Sequence, residues 1–172
     1  LSNIAISAVT GCFYAKEANE NPTKAEVTLL DTTVFNKGTS SFGLKYFGRE
    51  DRVTFTSARE GGVILEPEQE SKFLCDVYWA EKDNDTWKSA ENFGRPMNSA
   101  QHDAAACWDN NSTLFYCRWS DESRPDVKIH LIRMKNFMFY ESFELGEPVN
   151  VEGYKSQHPY VTNNGRQLFF SS

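Results

Sequence analysis

An all-β fold is what this sequence predicts, and three observations predict it. Strand-length runs rich in Phe, Tyr, Trp, Val and Leu recur along the chain, aromatic residues make up 14% of it, and such side chains pack well on a pleated face. Helical periodicity is weak, with helical composition confined to a short stretch, Ala15 to Asn21. The third observation is a repeat. Asp76-Val77-Tyr78-Trp79 through Trp87 to Phe93-Gly94-Arg95-Pro96-Met97-Asn98 returns 52 residues later as Lys128-Ile129-His130-Leu131 through Phe139 to Leu145-Gly146-Glu147-Pro148-Val149-Asn150. A period of roughly 40 to 55 residues made of short strands is how a β-propeller looks in sequence, because each blade is one four-stranded antiparallel sheet.

A hairpin alternates with that unit. Phe42 to Phe47 and Val53 to Ser57 flank Gly48 to Arg52; Asp103 to Trp108 and Leu114 to Arg118 flank Asp109 to Thr113; His158 to Thr162 and Leu168 to Ser172 flank Asn163 to Gln167. The Asp, Asn and Gly residues of the intervening clusters tolerate the positive φ that a tight turn demands. One blade therefore runs Phe42 to Phe47, Val53 to Ser57, Asp76 to Glu81 and Trp87 to Phe93. The next runs Asp103 to Trp108, Leu114 to Trp119, Lys128 to Met134 and Phe139 to Leu145, and a third begins with the last hairpin. A ring needs at least about four blades to close, so the propeller is incomplete in this chain, which reads as a piece of a longer protein or one that completes its ring with something else.

Residues 25–172 form the partial propeller, with Ala25 to Leu30 expected as an outer strand that locks the ring, and residues 1–24 are an N-terminal strand or a processed segment. Val9-Thr10-Gly11-Cys12 resembles a bacterial lipobox, which makes Cys12 a candidate for lipidation; Ile4 to Val9 reads equally as an edge strand. No stretch approaches the roughly 18 to 20 apolar residues of a membrane-spanning helix.

Net charge is −6 and the charges are scattered, which argues against nucleic acid as partner, since its binders carry a basic face. Cys107 and Cys117 lie on the two strands of one hairpin and bridge only if the register brings their Cα atoms to about 4.4 to 6.8 Å. The cysteine spacing is no zinc signature, and buried thiols acting as small hydrophobes are the expectation. His102, His130 and His158 fall at different places in the repeat. No nucleophile–base–acid set assembles from the sequence, Gly-x-Ser-x-Gly is absent, and no cofactor loop or calcium loop is found. A carboxylate pair for glycoside chemistry, drawn from Asp103 and the acids Glu66, Glu68 and Glu70 of the long loop Gly61 to Cys75, requires a spacing of about 5 to 9.5 Å that sequence does not supply.

Interaction candidates come from aromatic and loop residues. Trp and Tyr anchor interfaces, which selects Trp79 and Trp119; Trp87 aligns with Phe139 and Trp108 with Phe47, as packing positions do, whereas Trp119 has no counterpart. Arg118 and Arg59 follow the second strand of their blades, where a guanidinium bridges carboxylates or carbonyls of a neighbour; Arg59 reads as structural. The Gly61 to Cys75 loop, with Glu66, Glu68 and Glu70, is longer than its equivalent and is expected to touch another subunit.

These residues carry a resemblance. Phe42-Gly43 through Tyr46-Phe47-Gly48 to Val53-Thr54-Phe55-Thr56-Ser57-Ala58-Arg59, then Asp76-Val77-Tyr78, Trp87, Asn92-Phe93-Gly94, Met97-Asn98, Trp108-Asp109-Asn110-Asn111 and Leu114-Phe115-Tyr116-Cys117 resemble the WD40-like, TolB-like repeat of periplasmic OmpA-like proteins of the Bacteroidetes. The family's Ser-Pro-Asp-Gly hairpin stands here as Trp-Asp-Asn-Asn and Thr-Asn-Asn-Gly. The resemblance implies a non-catalytic scaffold, without cofactor, that joins protein subunits of an outer-membrane-associated, cell-wall-linked assembly such as type IX secretion. Peptidoglycan would be reached through a domain not found in this sequence. The alternative is a glycan-binding or glycan-cleaving propeller in the same compartment.

Overall fold

A computed structural model describes residues 33–63, 73–110, 112–120 and 126–172, and these form antiparallel sheets and no helix, with a sheet surface that curls like half of a barrel. The Ala15 to Asn21 stretch of helical composition, the expected Ala25 to Leu30 strand, the Cys12 lipobox and the acids Glu66, Glu68 and Glu70 lie outside the described residues.

The first sheet holds β1 (Ser40–Phe47), β2 (Arg49–Ala58), β3 (Cys75–Asp83) and two short pieces that both pair with β3, β4 (Thr86–Trp87) and β5 (Glu91–Asn92). The second is the meander β6 (His102–Trp108), β7 (Thr113–Trp119), β8 (Lys128–Lys135) and β9 (Met138–Glu144), and the third is β10 (Gln157–Val161) with β11 (Leu168–Ser171). Each strand expected from Phe42 onward is present, its ends shifted by a residue or two, except that β2 begins at Arg49, four residues before the expected Val53, inside the expected turn; the edge strand Trp87 to Phe93 is broken in two.

Alternation explains the burial. On β2, Val53 and Phe55 face one way with Tyr78 and Ala80 of β3 and are capped by Val34 and Phe35, while Thr54 and Thr56 face the other way against β6. Val53 through Ala58 are therefore all buried. Between the first two sheets Val77 and Met97 meet Ala106, Leu114, Tyr116 and Ile132, with Phe93, Trp108 and Phe139 closing the layer. Each large apolar side chain so enclosed contributes about 1.5–3 kcal/mol. Cys117, Val127 and Ile129 continue the core on the far side of the second sheet, against Ala105, Trp119, Leu145 and Val149. Contacts follow a repeated step: β6 lies against β1, β2 and β3, and β10 lies against β6, β7 and β8.

The backbone repeats too. The first strand of every sheet breaks register, between Phe42 and Lys45, Ala104 and Cys107, and Gln157 and Tyr160. Inside each break one residue has positive φ: Gly43 at 68°, Ala105 at 53° and His158 at 54°. These are bulges of one kind. They also correct the alignment by one residue, because Trp108 pairs with Leu114 as Tyr46 pairs with Val53. Phe47 is thus not the counterpart of Trp108 but its neighbour, stacked on it with centroids 5.0 Å apart.

Candidate interaction surface

The repeated Pro-x-Asn turns explain the most legible sequence signal. Val77 N–H donates to Asn98 Oδ1 at 2.9 Å and Asn98 Nδ2 donates to Val77 C=O at 2.9 Å. Asn150 does the same for Ile129, at 2.9 and 2.8 Å. In both, the Asn backbone N–H returns to a glycine carbonyl, Gly94 or Gly146. The carboxamide has a donor and an acceptor side by side, so it reads one residue's N–H and C=O together. A third copy of the turn, Val34-Phe35-Asn36, precedes β1 and places Phe35 where the others place Met97 and Val149, one residue in each core layer. Sequence reasoning passed over it because it lacks the proline; the shared apolar-Asn pair was its available signal.

Both arginines tie these turns down. Arg59, buried, donates to the carbonyls of Val34 and Phe35 at 2.7 Å each and to Ser57 Oγ at 2.7 Å. Arg118 donates to Met97 C=O at 3.1 Å and to Asp103 Oδ1 at 2.7 Å. Asp103 is fully enclosed, and its second oxygen accepts from the backbone and hydroxyl of Ser99 at 2.7 and 2.8 Å. Burial raises its pKa to about 6 against the opposing pull of Arg118. Asp76 is also buried, with Oδ2 accepting from Val63 N–H and Asn92 Nδ2 and Oδ1 without a hydrogen-bond partner, and burial again raises its pKa.

The histidines sit in three unrelated places. His102 Nδ1 accepts from Cys75 N–H at 3.0 Å, which leaves the proton of the neutral ring on Nε2, and the ring stacks on Trp119 at 4.8 Å. His130 is half-buried beside Tyr116, its buried Nδ1 without a hydrogen-bond partner, and burial lowers its pKa to about 4. His158 occupies the bulge of β10 with its backbone facing the Cys117 thiol, as Ala105 occupies the bulge of β6, where its N–H donates to Thr56 Oγ1 at 3.0 Å. Cys75, Cys107 and Cys117 are free thiols. The bulge sets Cys107 opposite Phe115 and Cys117 opposite Ala104, and burial pushes both thiols up to about 11.

The interaction candidates fall into place around this frame. Trp79 packs among Phe93 and Phe137, with centroids 6.3 and 5.9 Å away. Trp119 covers His102 and the third core layer. Arg118 is engaged with Asp103. The structure thus brings Asp103, Arg118 and Ser99 together and keeps Trp79 and Trp119 apart, on the first and second sheets.

Exposed aromatics lie elsewhere, on the hairpins. Tyr160 of β10 and Phe169 of β11 are 52% and 55% exposed and stand 6.4 Å apart, with Lys45 Nζ of β1 5.7 Å from the Tyr160 ring. This patch, two rings and a cation drawn from the first and third sheets, suits a protein surface offering apolar and acidic groups. Among the described residues no cluster of three or more His, Cys, Asp or Glu is placed to hold a metal ion. No family model matches the chain, and no match is found among curated proteins or solved structures.

Proposed function

We propose that this chain is part of a β-propeller and serves as a non-catalytic scaffold for other protein subunits. The repeated step supports the propeller: each sheet lays its first strand on the preceding sheet, as blades do round an axis. The observation that carries the scaffold reading is the Lys45–Tyr160–Phe169 patch. It is exposed, whereas Asp103, Arg59, Arg118, Asn98 and Asn150 are engaged in holding turns. The compartment, periplasmic and outer-membrane-associated in a cell-wall-linked assembly such as type IX secretion, rests on the likeness of the hairpins to the WD40-like repeat. Glycan binding or cleavage is the competing reading.

The test is to isolate the protein from membranes in mild detergent and identify what copurifies. Recovery of a defined set of subunits is the expected result, weakened about tenfold or more by Tyr160→Ala with Phe169→Ala, as for interface anchors. Recovery of the protein alone, with glycan turnover, would sink the proposal.

A further inference from the structure

Two buried polar groups stand side by side on one face of β3, each with an atom unpaired. Asp76 and Tyr78 alternate with Val77, so both side chains lie on the face of the first core layer, while Val77 joins the second. Asp76 is 1% and Tyr78 3% exposed, yet Asp76 Oδ1 and the Tyr78 hydroxyl find no hydrogen-bond partner among the described residues. The phenol lies within electrostatic reach of the Asp76 carboxyl. Donors around the pair are engaged elsewhere. Arg59, 5.0 Å over the Tyr78 ring, donates to the carbonyls of Val34 and Phe35 and to Ser57 Oγ. Ser57, opposite Asp76, is engaged with Ser41 Oγ and with the carbonyls of Lys37 and Ser40. Asn92, opposite Tyr78, directs Nδ2 to Asp76 Oδ2 at 2.8 Å, and its Oδ1 accepts from Gly94 N–H and Asn98 Nδ2 at 2.7 and 2.8 Å. Gly62 packs directly on the carboxylate, where a Cβ would fall 2.9 Å from Oδ2.

The same position is short of a partner in the second sheet. His130 stands opposite Tyr116 as Tyr78 stands opposite Phe55, with centroids 5.7 and 6.0 Å apart, and His130 Nδ1 is likewise buried and unpaired. Lys128 takes the place of Asp76 there and is engaged with Asp126 and the carbonyls of Val151 and Tyr154. Of these two sheets, the first alone sets a buried hydroxyl beside an open carboxylate oxygen. We propose that the Tyr78–Asp76 pair is the binding site of one internal water molecule, which accepts the Tyr78 O–H and donates to Asp76 Oδ1. Water has both capacities, and two such partners suffice to hold it. A monovalent cation would serve the carboxylate but leave the phenol proton without an acceptor. The bridged carboxylate completes a junction of β3, β5 through Asn92, and the start of the Gly61 to Cys75 loop through Val63 N–H at 2.8 Å. The site therefore fixes where that loop leaves the sheet. It rests on buried side chains and not on the scaffold reading, so either can fail without the other.

Crystals of the 172-residue chain soaked in rubidium chloride test this directly. The expected map has one oxygen-sized peak about 2.7–2.8 Å from both the Tyr78 hydroxyl and Asp76 Oδ1, with no rubidium anomalous signal. In Tyr78→Phe, which keeps the ring over Phe55, the peak should be lost. In solution, the effects of Tyr78→Phe and Asp76→Ala on the folding equilibrium constant should be non-additive by about threefold or more. An anomalous peak, an absence of density between the two groups, a peak that persists in Tyr78→Phe, or additive effects would overturn the proposal.

Discussion

Asp103 and His130 lie on β6 and β8, with Arg118 on β7 between them, and acid acts on the two in opposite directions. The folded carboxyl holds its proton up to about pH 6, above its unfolded value, so its contribution to stability is complete in acid and is lost as pH rises through about 6. His130, depressed to about 4 by burial with Arg118 adding repulsion, contributes stability that is complete above its ordinary value and is lost as pH falls toward 4. The two effects overlap between about pH 4 and 6 and oppose each other. Asp76, raised in the same direction as Asp103, adds to the carboxyl side. Asp103→Asn should therefore be more acid-labile than the parent across this window, and His130→Phe less so; urea midpoints measured from pH 4 to 7 read both. Backbone strain is also local. Ala105 holds φ 53° where the first sheet uses Gly43, and a left-handed residue with a Cβ costs about 1–2 kcal/mol. Ala105→Gly is expected to stabilise by about 0.5–1 kcal/mol after the entropy it adds to the unfolded chain. Gly38→Ala should do the reverse more strongly, because its Cβ would fall 2.4 Å from Ala58 C=O at φ +89°.

Turns and strands are the scale at which the sequence was most readable. Alternating apolar runs bounded by Asn, Asp and Gly gave the strands, since a pleated face with one or both sides covered demands them. The 52-residue repeat marked Asn98 and Asn150 as equivalent, and both clamp a strand residue 21 positions back. Asn98→Ala would leave the Val77 N–H without this partner in a buried setting, at about 1–3 kcal/mol, while the Val77 carbonyl keeps the Phe93 N–H. Asn150→Ala is expected to match it, and chemical denaturation of the two variants compares them directly. The bulges were not readable. Ala104-Ala105-Ala106 and Gln157-His158-Pro159 hold no glycine to announce a positive φ, and packing between sheets imposes it. The same unseen shift produced the one-residue error that equated Phe47 with Trp108. The hairpin turns Asn84-Asp85 and Asn136-Phe137 have positive φ at both central residues, a type I′ requirement. Phe137 is held there by contacts with Trp79 and Arg52.

Across the molecule, cohesion depends on how one sheet grips the next. Trp108 donates from Nε1 to Thr54 Oγ1 at 3.1 Å while its ring stacks on Phe47, so one side chain bonds and packs across the first interface. Trp108→Ala is expected to cost about 3–5 kcal/mol and to give the two sheets separate transitions, visible as non-coincident fluorescence and circular-dichroism melts. These grips were beyond sequence reasoning: Thr54 and Thr56 looked like ordinary strand residues, and their role exists once β6 lies against them. The same holds for Trp79 and Trp119, whose composition suggested contact with a partner and whose rings cover neighbours in the chain's own fold. The three bulges bear on a different property, behaviour in a crowded solution. β1, β6 and β10 each end their sheet, and a flat, regular edge strand is a template on which other chains stack into fibres. An irregularity at the same level in each of the three denies an incoming strand an unbroken ladder, so these three edges are poor templates for fibre growth.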